Sequence, residues 1–231
     1  MPQSKAWSMG QSAPPQGQGA AIALAVMLAG GAGRRLGGDK ACRKLAGRPL
    51  AAHGLERLRA QGLAVAISAP APVPGLDPAL PLLADEASLA GRGPLAGVLA
   101  ALDHAAARGC AQVLTVGCDM PFLPPDLYAR LAGGLGRAEV AIARSGRETA
   151  FICALWRSPL AGALRRSLGA APDGLSVQAF QASRATVKVD FPASHPPAFF
   201  NVNTPAELEQ AQSWLAEGQD KAHIAAMPPS T

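Results

Sequence analysis

Ala20-Ala21-Ile22-Ala23-Leu24-Ala25-Val26-Met27 runs straight into Leu28-Ala29-Gly30-Gly31-Ala32-Gly33-Arg34-Arg35-Leu36-Gly37-Gly38-Asp39-Lys40. The first part is a short apolar run of the kind that makes a buried strand, bounded by glycine. The second brings backbone N–H groups close to a ligand through its glycines and adds two arginines and a lysine. Little but a polyphosphate needs all of that at the end of a strand. The spacing excludes two familiar phosphate binders. A P-loop requires Gly-x-x-x-x-Gly-Lys followed by Ser or Thr, and Lys40 is followed by Ala41. The dinucleotide fingerprint requires a third glycine where this chain has Leu36. The segment reads as a nucleotide-binding loop of another kind.

Outward from this loop, short apolar runs alternate with helical patterns. Strands are expected over 20–28, 64–68, 80–84, 111–116, 138–143, 150–155 and 185–189. Helices are expected over 49–61, 94–108, 125–135, 159–168 and 205–216, the last capped by Asn203 or Thr204. Such alternation predicts an α/β sandwich around a mostly parallel sheet, in which ligands gather at the carboxyl ends of strands near a topological switch. Residues 1–19, rich in Gln, Ser, Pro and Gly, read as a disordered leader, residues 20–217 as the folded domain and 218–231 as a flexible tail.

Length and composition bound the class. A chain of 231 residues, 49% of them hydrophobic, makes one domain with modest extensions. The formal net charge of +5 is concentrated on Arg34, Arg35, Lys40, Arg43, Lys44 and Arg48, in and just after the glycine loop. That placement favours neutralisation of a small anion over a nucleic-acid track. The four cysteines form neither a Cys-x-x-Cys pair nor a zinc spacing and read as buried, reduced thiols of a cytoplasmic protein. Lys5 ahead of the 20–32 run imitates a secretory signal, but cleavage there would remove the strand that carries the loop. No run reaches the roughly 18 apolar residues of a membrane span.

Three further segments carry chemistry. In Val113-Leu114-Thr115-Val116-Gly117-Cys118-Asp119-Met120-Pro121, a carboxylate follows a hydrophobic strand and projects where phosphates would lie. Mg²⁺ held there needs one or two carboxylates plus substrate phosphates, and Asp119 alone supplies the protein's share. Turn capping by Asp119 is the plainer role. Asp85, followed by Gly91-Arg92-Gly93-Pro94-Leu95-Ala96-Gly97, could accept hydrogen bonds from a base or ribose, while Gly93 and Gly97 let a helix start pass beneath a ligand. Asn201-Val202-Asn203-Thr204-Pro205 sets two amides on one extended segment, able to hold a pterin, a ribose or a metal-bound water, or to cap a helix.

These four motifs, in this order, resemble the molybdenum cofactor guanylyltransferase family, within the wider nucleotide-diphospho-sugar transferase fold; the resemblance spans about 20–215. It implies a three-layer α/β sandwich around a mostly parallel mixed sheet, a Rossmann-like nucleotidyltransferase. It implies that Leu28, Ala29, Gly30, Gly31, Lys40, Asp85 and Asp119 bind GTP, with Asp119 also on Mg²⁺ as the cofactor. It further implies that Arg35, Lys40 and Asp119 are catalytic, and that Gly38, Gly93, Gly97, Asn201 and Asn203 match positions used for binding or catalysis. The partners implied are GTP and the molybdopterin cofactor, with recipient molybdoenzymes or their chaperones beyond. Two positions depart from the family pattern: Ser68 stands where an Asn often contacts nucleotide, and Ser176 where an Arg is usual. Arg184 or Arg165 is a candidate to replace that Arg, since a hydroxyl does not reproduce a guanidinium fork.

The expected reaction is attack by the terminal phosphate of molybdopterin on the α-phosphorus of GTP with loss of pyrophosphate, which needs positioning and charge neutralisation more than a protein nucleophile. His53, His104 and His195 sit in helix or loop contexts suited to structure. Leu28-Ala29-Gly30-Gly31, where CTP-specific relatives tend to carry a second alanine before the glycine, favours a purine. The competing readings are a cytidylyltransferase or sugar-phosphate nucleotidylyltransferase of the same fold, or a non-catalytic cofactor-binding adaptor. An NAD-dependent oxidoreductase is opposed by the broken fingerprint.

Overall fold

The structure, a computed structural model, describes residues 23–30, 40–171 and 173–226, with side chains to residue 218. The leader and most of the glycine loop, including Gly31, Arg35 and Gly38, lie outside the described residues.

Seven strands form one sheet in the order β5-β4-β1-β6-β8-β7-β9. They are β1 (Leu24–Leu28), β4 (Ala64–Ser68), β5 (Leu82–Leu83), β6 (Gln112–Gly117), β7 (Val140–Ser145), β8 (Glu148–Arg157) and β9 (Thr186–Phe191). β1 pairs in parallel with both β4 and β6, and β7 with β9, while β8 is antiparallel to its two neighbours. The sheet is therefore mostly parallel with one strand reversed. β1 is flanked by β4 on one side and β6 on the other, so the strand order switches at β1.

Both faces of β1 are covered, which is why it reads as an unbroken apolar run. Ala25 and Met27 face a layer built from α1 (Leu50–Ala60) and α3 (Leu127–Leu135). Leu24 and Val26 face the layer of α2 (Pro94–Ala107), α4 (Leu160–Ala170) and α5 (Val177–Ala182). The result is the three-layer sandwich expected from the sequence. A separate small core of Leu45, Leu50, Phe122, Val202 and Ala211 seats α6 (Pro205–Ala226). Part of that core comes from the two-stranded hairpin β2 (Lys44–Leu45) and β3 (Arg48–Pro49), which the sequence reading omits.

The other differences are local. β7 and β8 form a hairpin, turning at Gly146 and Arg147 and interrupted by a register shift after Ile142, rather than two independent strands. α5 is an additional helix, started by Ser176, whose hydroxyl accepts the Ala179 N–H at 3.0 Å. α6 does not end at Ala216 but continues to Ala226, into the stretch read as tail. Its start is a capping box: Thr204 Oγ1 accepts the Glu207 N–H, and the Glu207 carboxylate accepts the Thr204 N–H at 2.8 Å. Thr204, not Asn203, is thus the cap.

Candidate active site

Three of the sequence motifs meet at the carboxyl ends of β1 and β6. Lys40 opens a single turn of 3-10 helix (Lys40–Cys42) just beyond the glycine loop. Its ammonium donates to Asp119 Oδ2 at 2.8 Å and to Asn203 Oδ1. The Lys40 and Asp119 side chains are 16% and 18% exposed, so the pair is largely withdrawn from water yet open on one side. A charge left unpaired in such a position is costly, which ties the two together. The segment carrying Asn203 is fastened to the same strand end, for the Val202 N–H donates to the Asp119 carbonyl at 2.9 Å.

Beside this cluster lies a second one. The Ala29 N–H donates to the Ser68 carbonyl at 2.8 Å, and the Cys118 N–H to the Leu28 carbonyl at 3.1 Å, so the ends of β1, β4 and β6 are stitched together. Ser68 is buried, 2% exposed, and its hydroxyl bonds the carboxyl of Asp85. Burial pushes the Asp85 carboxyl above the usual range, partly offset by that bond. Ser68 thus supports Asp85 from beneath. Gly97, buried in the first turns of α2, backs onto the same group: a β-carbon there would fall 2.8 Å from Ser68 Oγ and 3.2 Å from Leu28 Cδ2. Gly93 precedes α2 with φ +91°, a conformation that favours glycine, and Pro94 follows as its first residue. Its exposed backbone leaves the N-terminal end of α2 open to solvent.

The remaining candidates are placed as follows. Gly30 is exposed, with open space where a β-carbon would lie. Asn201 is half-buried and its amide turns back onto the Phe199 carbonyl at 3.3 Å. Ser176 is occupied in capping α5. Arg165 is engaged by Glu86 and Asp103 at 3.2 and 2.7 Å, and the Arg184 guanidinium lies over the Phe180 ring at 5.3 Å. Cys110, Cys118 and Cys153 are buried, and burial together with the neighbouring Asp119 charge pushes the Cys118 thiol up to about 12. A cavity of about 750 Å³ lies along α1, lined by Cys42, Lys44, Arg48, Leu55, Arg59 and Asp77 among others. None of Lys40, Asp85, Asp119 or Asn203 lines it. The candidate residues lie apart from that cavity.

The donor set fits a divalent ion shared with a ligand. Asp119 Oδ1 accepts no hydrogen bond among the described residues, leaving an anionic oxygen available at the cleft. Among the described residues no group of three or more His, Cys, Asp or Glu could hold a metal by itself. One carboxylate plus phosphate oxygens is the arrangement Mg²⁺ tolerates.

Residues 25–214 match the MobA-like NTP transferase domain. The chain belongs to this family. It is 41% identical over 208 residues to the molybdenum cofactor guanylyltransferase of Sinorhizobium fredii, covering 86% of this chain and 94% of that one. It is 42% identical over 196 residues to the protein of the same name from Acidiphilium cryptum, covering 82% and 93%. It superposes with a TM-score of 0.67 on molybdopterin-guanine dinucleotide biosynthesis protein A from Archaeoglobus fulgidus, at 21% identity over 84% of this chain and 98% of that one. The protein is a nucleotidyltransferase of the molybdenum cofactor guanylyltransferase family, as its motifs imply.

Sequence reasoning names Lys40, Asp119, Asn203, Asp85 and Gly97 but not the links between them. It leaves out the support that Ser68 gives Asp85 and the contact of Glu207 with Asn203. The second had a signal, because Thr204 and Glu207 are spaced as a capping box.

Proposed function

We propose that this chain transfers GMP from GTP to the terminal phosphate of molybdopterin, with Mg²⁺, releasing pyrophosphate and forming the guanine dinucleotide cofactor. The observation that carries the reading is the Lys40–Asp119–Asn203 cluster at the ends of β1 and β6, in a chain about 40% identical to enzymes named for this activity.

In the reaction a phosphate oxygen of the acceptor forms a bond to the α-phosphorus of GTP, and the bond from that phosphorus to the bridging oxygen of the β-phosphate breaks. The attacking group is already an anion, so no protein base is needed. Lys40 has three ammonium protons. Two are directed at Asp119 and Asn203, and the third is available to phosphate oxygens, where its charge offsets the negative charge growing on the leaving group. Arg35, by resemblance, adds to this. The backbone of Leu28 to Gly31 and the carboxyl of Asp85 hold the nucleotide, with Gly97 behind Ser68 on that same side, while Gly93, Asn201 and Asn203 shape the acceptor side. Mg²⁺ bound by Asp119 and the nucleotide would polarise the phosphate under attack. No helix among the described residues is long and apolar enough to cross a membrane. We assign the enzyme to the cytoplasm on its thiol content, and its product to recipient molybdoenzymes or their chaperones.

The test is incubation with molybdopterin, Mg²⁺ and each nucleoside triphosphate in turn, with mass analysis of the product and measurement of pyrophosphate. A guanine dinucleotide formed from GTP and Mg²⁺ supports the reading. A cytosine product from CTP, or nucleotide binding with no pyrophosphate released, would replace it with the cytidylyltransferase or the adaptor.

A further inference from the structure

A capping box needs one bond from the N3 side chain back to the N-cap amide. Glu207 makes more than that. The same oxygen, Oε2, accepts the Thr204 N–H at 2.8 Å, the Thr204 hydroxyl at 3.0 Å and the N–H of Asn203 at 2.7 Å, one residue upstream of the box. Asn203 is the residue whose amide oxygen receives the Lys40 ammonium. On its other side the Val202 N–H is held by the Asp119 carbonyl. The peptide of Asn203 is thus fixed from both directions, which sets where its side-chain amide can meet Lys40.

Electrostatics link Glu207 to the same cluster. Desolvation raises its carboxyl, but the bonds from Asn203 and Thr204 and the charge of Lys40 outweigh it and hold the group below its ordinary range. The carboxylate therefore stays ionised and senses the lysine without touching it.

We infer that Glu207 is a positioning residue: it sets the Asn203 amide so that Lys40 is shared between Asp119, on the nucleotide side, and the 201–203 segment, on the acceptor side. Glu207 itself meets no substrate. The inference rests on the guanylyl transfer proposed above and deepens it, since loss of the positioning falls on the acceptor and not on GTP. Its geometry also separates it from helix capping. Thr204→Val breaks the reciprocal side of the box and leaves the Glu207 bond to Asn203 in place. Glu207→Gln keeps an amide oxygen that can accept the same two N–H groups. Glu207→Ala and Glu207→Asp remove or shorten the reach.

The experiment is steady-state transfer from GTP to molybdopterin with Mg²⁺ in these four variants and the wild type, with GTP affinity measured separately without acceptor and each Tm recorded. Glu207→Ala and Glu207→Asp are expected to lose roughly tenfold in kcat/KM for molybdopterin, the scale of a displaced substrate-orienting group. Their GTP affinity should stay within about twofold of wild type, marking a loss confined to the acceptor step. Glu207→Gln should recover most of the loss, and Thr204→Val should lower Tm while keeping kcat/KM. The inference is overturned if Thr204→Val and Glu207→Ala lose activity in step with their Tm, if Gln fails to rescue, or if Glu207→Ala keeps the wild-type acceptor kinetics. A wild-type chain that makes no dinucleotide product would remove the underlying reading instead, whatever the variants do.

Discussion

A β-carbon built on Gly117 falls 2.5 Å from Oδ1 of Asp119. The carboxylate is folded back over the last residue of its own strand, and the absence of a side chain at 117 is what gives it room. Gly117→Ala should push the carboxylate away while leaving the strand pairing intact. We expect turnover to fall by roughly 10²-fold, the scale of a misplacement of about 1 Å in a reacting group. Measuring rate against Mg²⁺ concentration checks this. A variant with the wild-type rate and Mg²⁺ dependence would show that the carboxylate position is not critical.

Lys40 and Asp119 should behave as one unit. Asp119→Ala is expected to abolish turnover, and Lys40→Ala to cost about 3 kcal/mol of transition-state stabilisation. Because the ion pair couples them, the double variant should lose much less than the sum of the two single losses. A double-mutant cycle on GTP affinity, which can be measured without turnover, reads this directly, and additive losses would mean that the pair does not act together.

The approach of α2 to β4 predicts a nucleotide-specific defect. Gly97→Ala drives a methyl group against Ser68 Oγ, whose hydroxyl holds Asp85. KM for GTP should rise several-fold while KM for the acceptor is kept. Titrating each substrate at saturation of the other separates the two.

Thr115 gives a stability prediction away from the chemistry. Its buried hydroxyl donates to the Ile152 carbonyl at 2.7 Å and accepts the Trp156 indole N–H at 2.8 Å, linking β6 to the reversed strand β8. Thr115→Val keeps the shape and strands the indole donor, at a cost of about 2 kcal/mol. Urea unfolding should show the loss as a lower midpoint with an unchanged slope.

His53 and His104 set a pH dependence. Burial is the main cause that lowers both below the ordinary 6.5, with Arg48 and Arg57 adding to it at His53 and Arg108 at His104. The unfolded chain therefore takes up protons near pH 6.5 that the folded chain refuses. Stability should fall as the pH drops from 6.5 toward the lower folded values, and should be unaffected by these groups above it. Replacing both by Gln should flatten that part of the curve of Tm against pH.

The sequence carries the strands and their layers well, because β1, β4 and β6 are covered on both faces and show as mostly apolar runs. It carries the reversal of β8 poorly. Strand direction depends on the turn at Gly146 and Arg147 and on which neighbour captures the strand, and neither leaves a periodic mark. At the site, Lys40 is legible because it follows a glycine-rich loop, and Asp85 and Asp119 because each follows a strand. The contact of Lys40 with Asn203 spans 163 positions and is set by tertiary packing. Ser176 stands out in the sequence as a missing arginine, and in the structure its hydroxyl starts α5.

The fastening of Val202 to Asp119, and of Asn203 to Lys40, gives chain order a temporal meaning. The proposed nucleotide side, up to Asp119, is encoded well before the 201–203 strap that closes on it. A nascent chain whose leading strands have already folded still lacks the amide that shares the lysine. On the transfer proposed above, competence is therefore acquired only once Asn203 has been made and docked against Lys40.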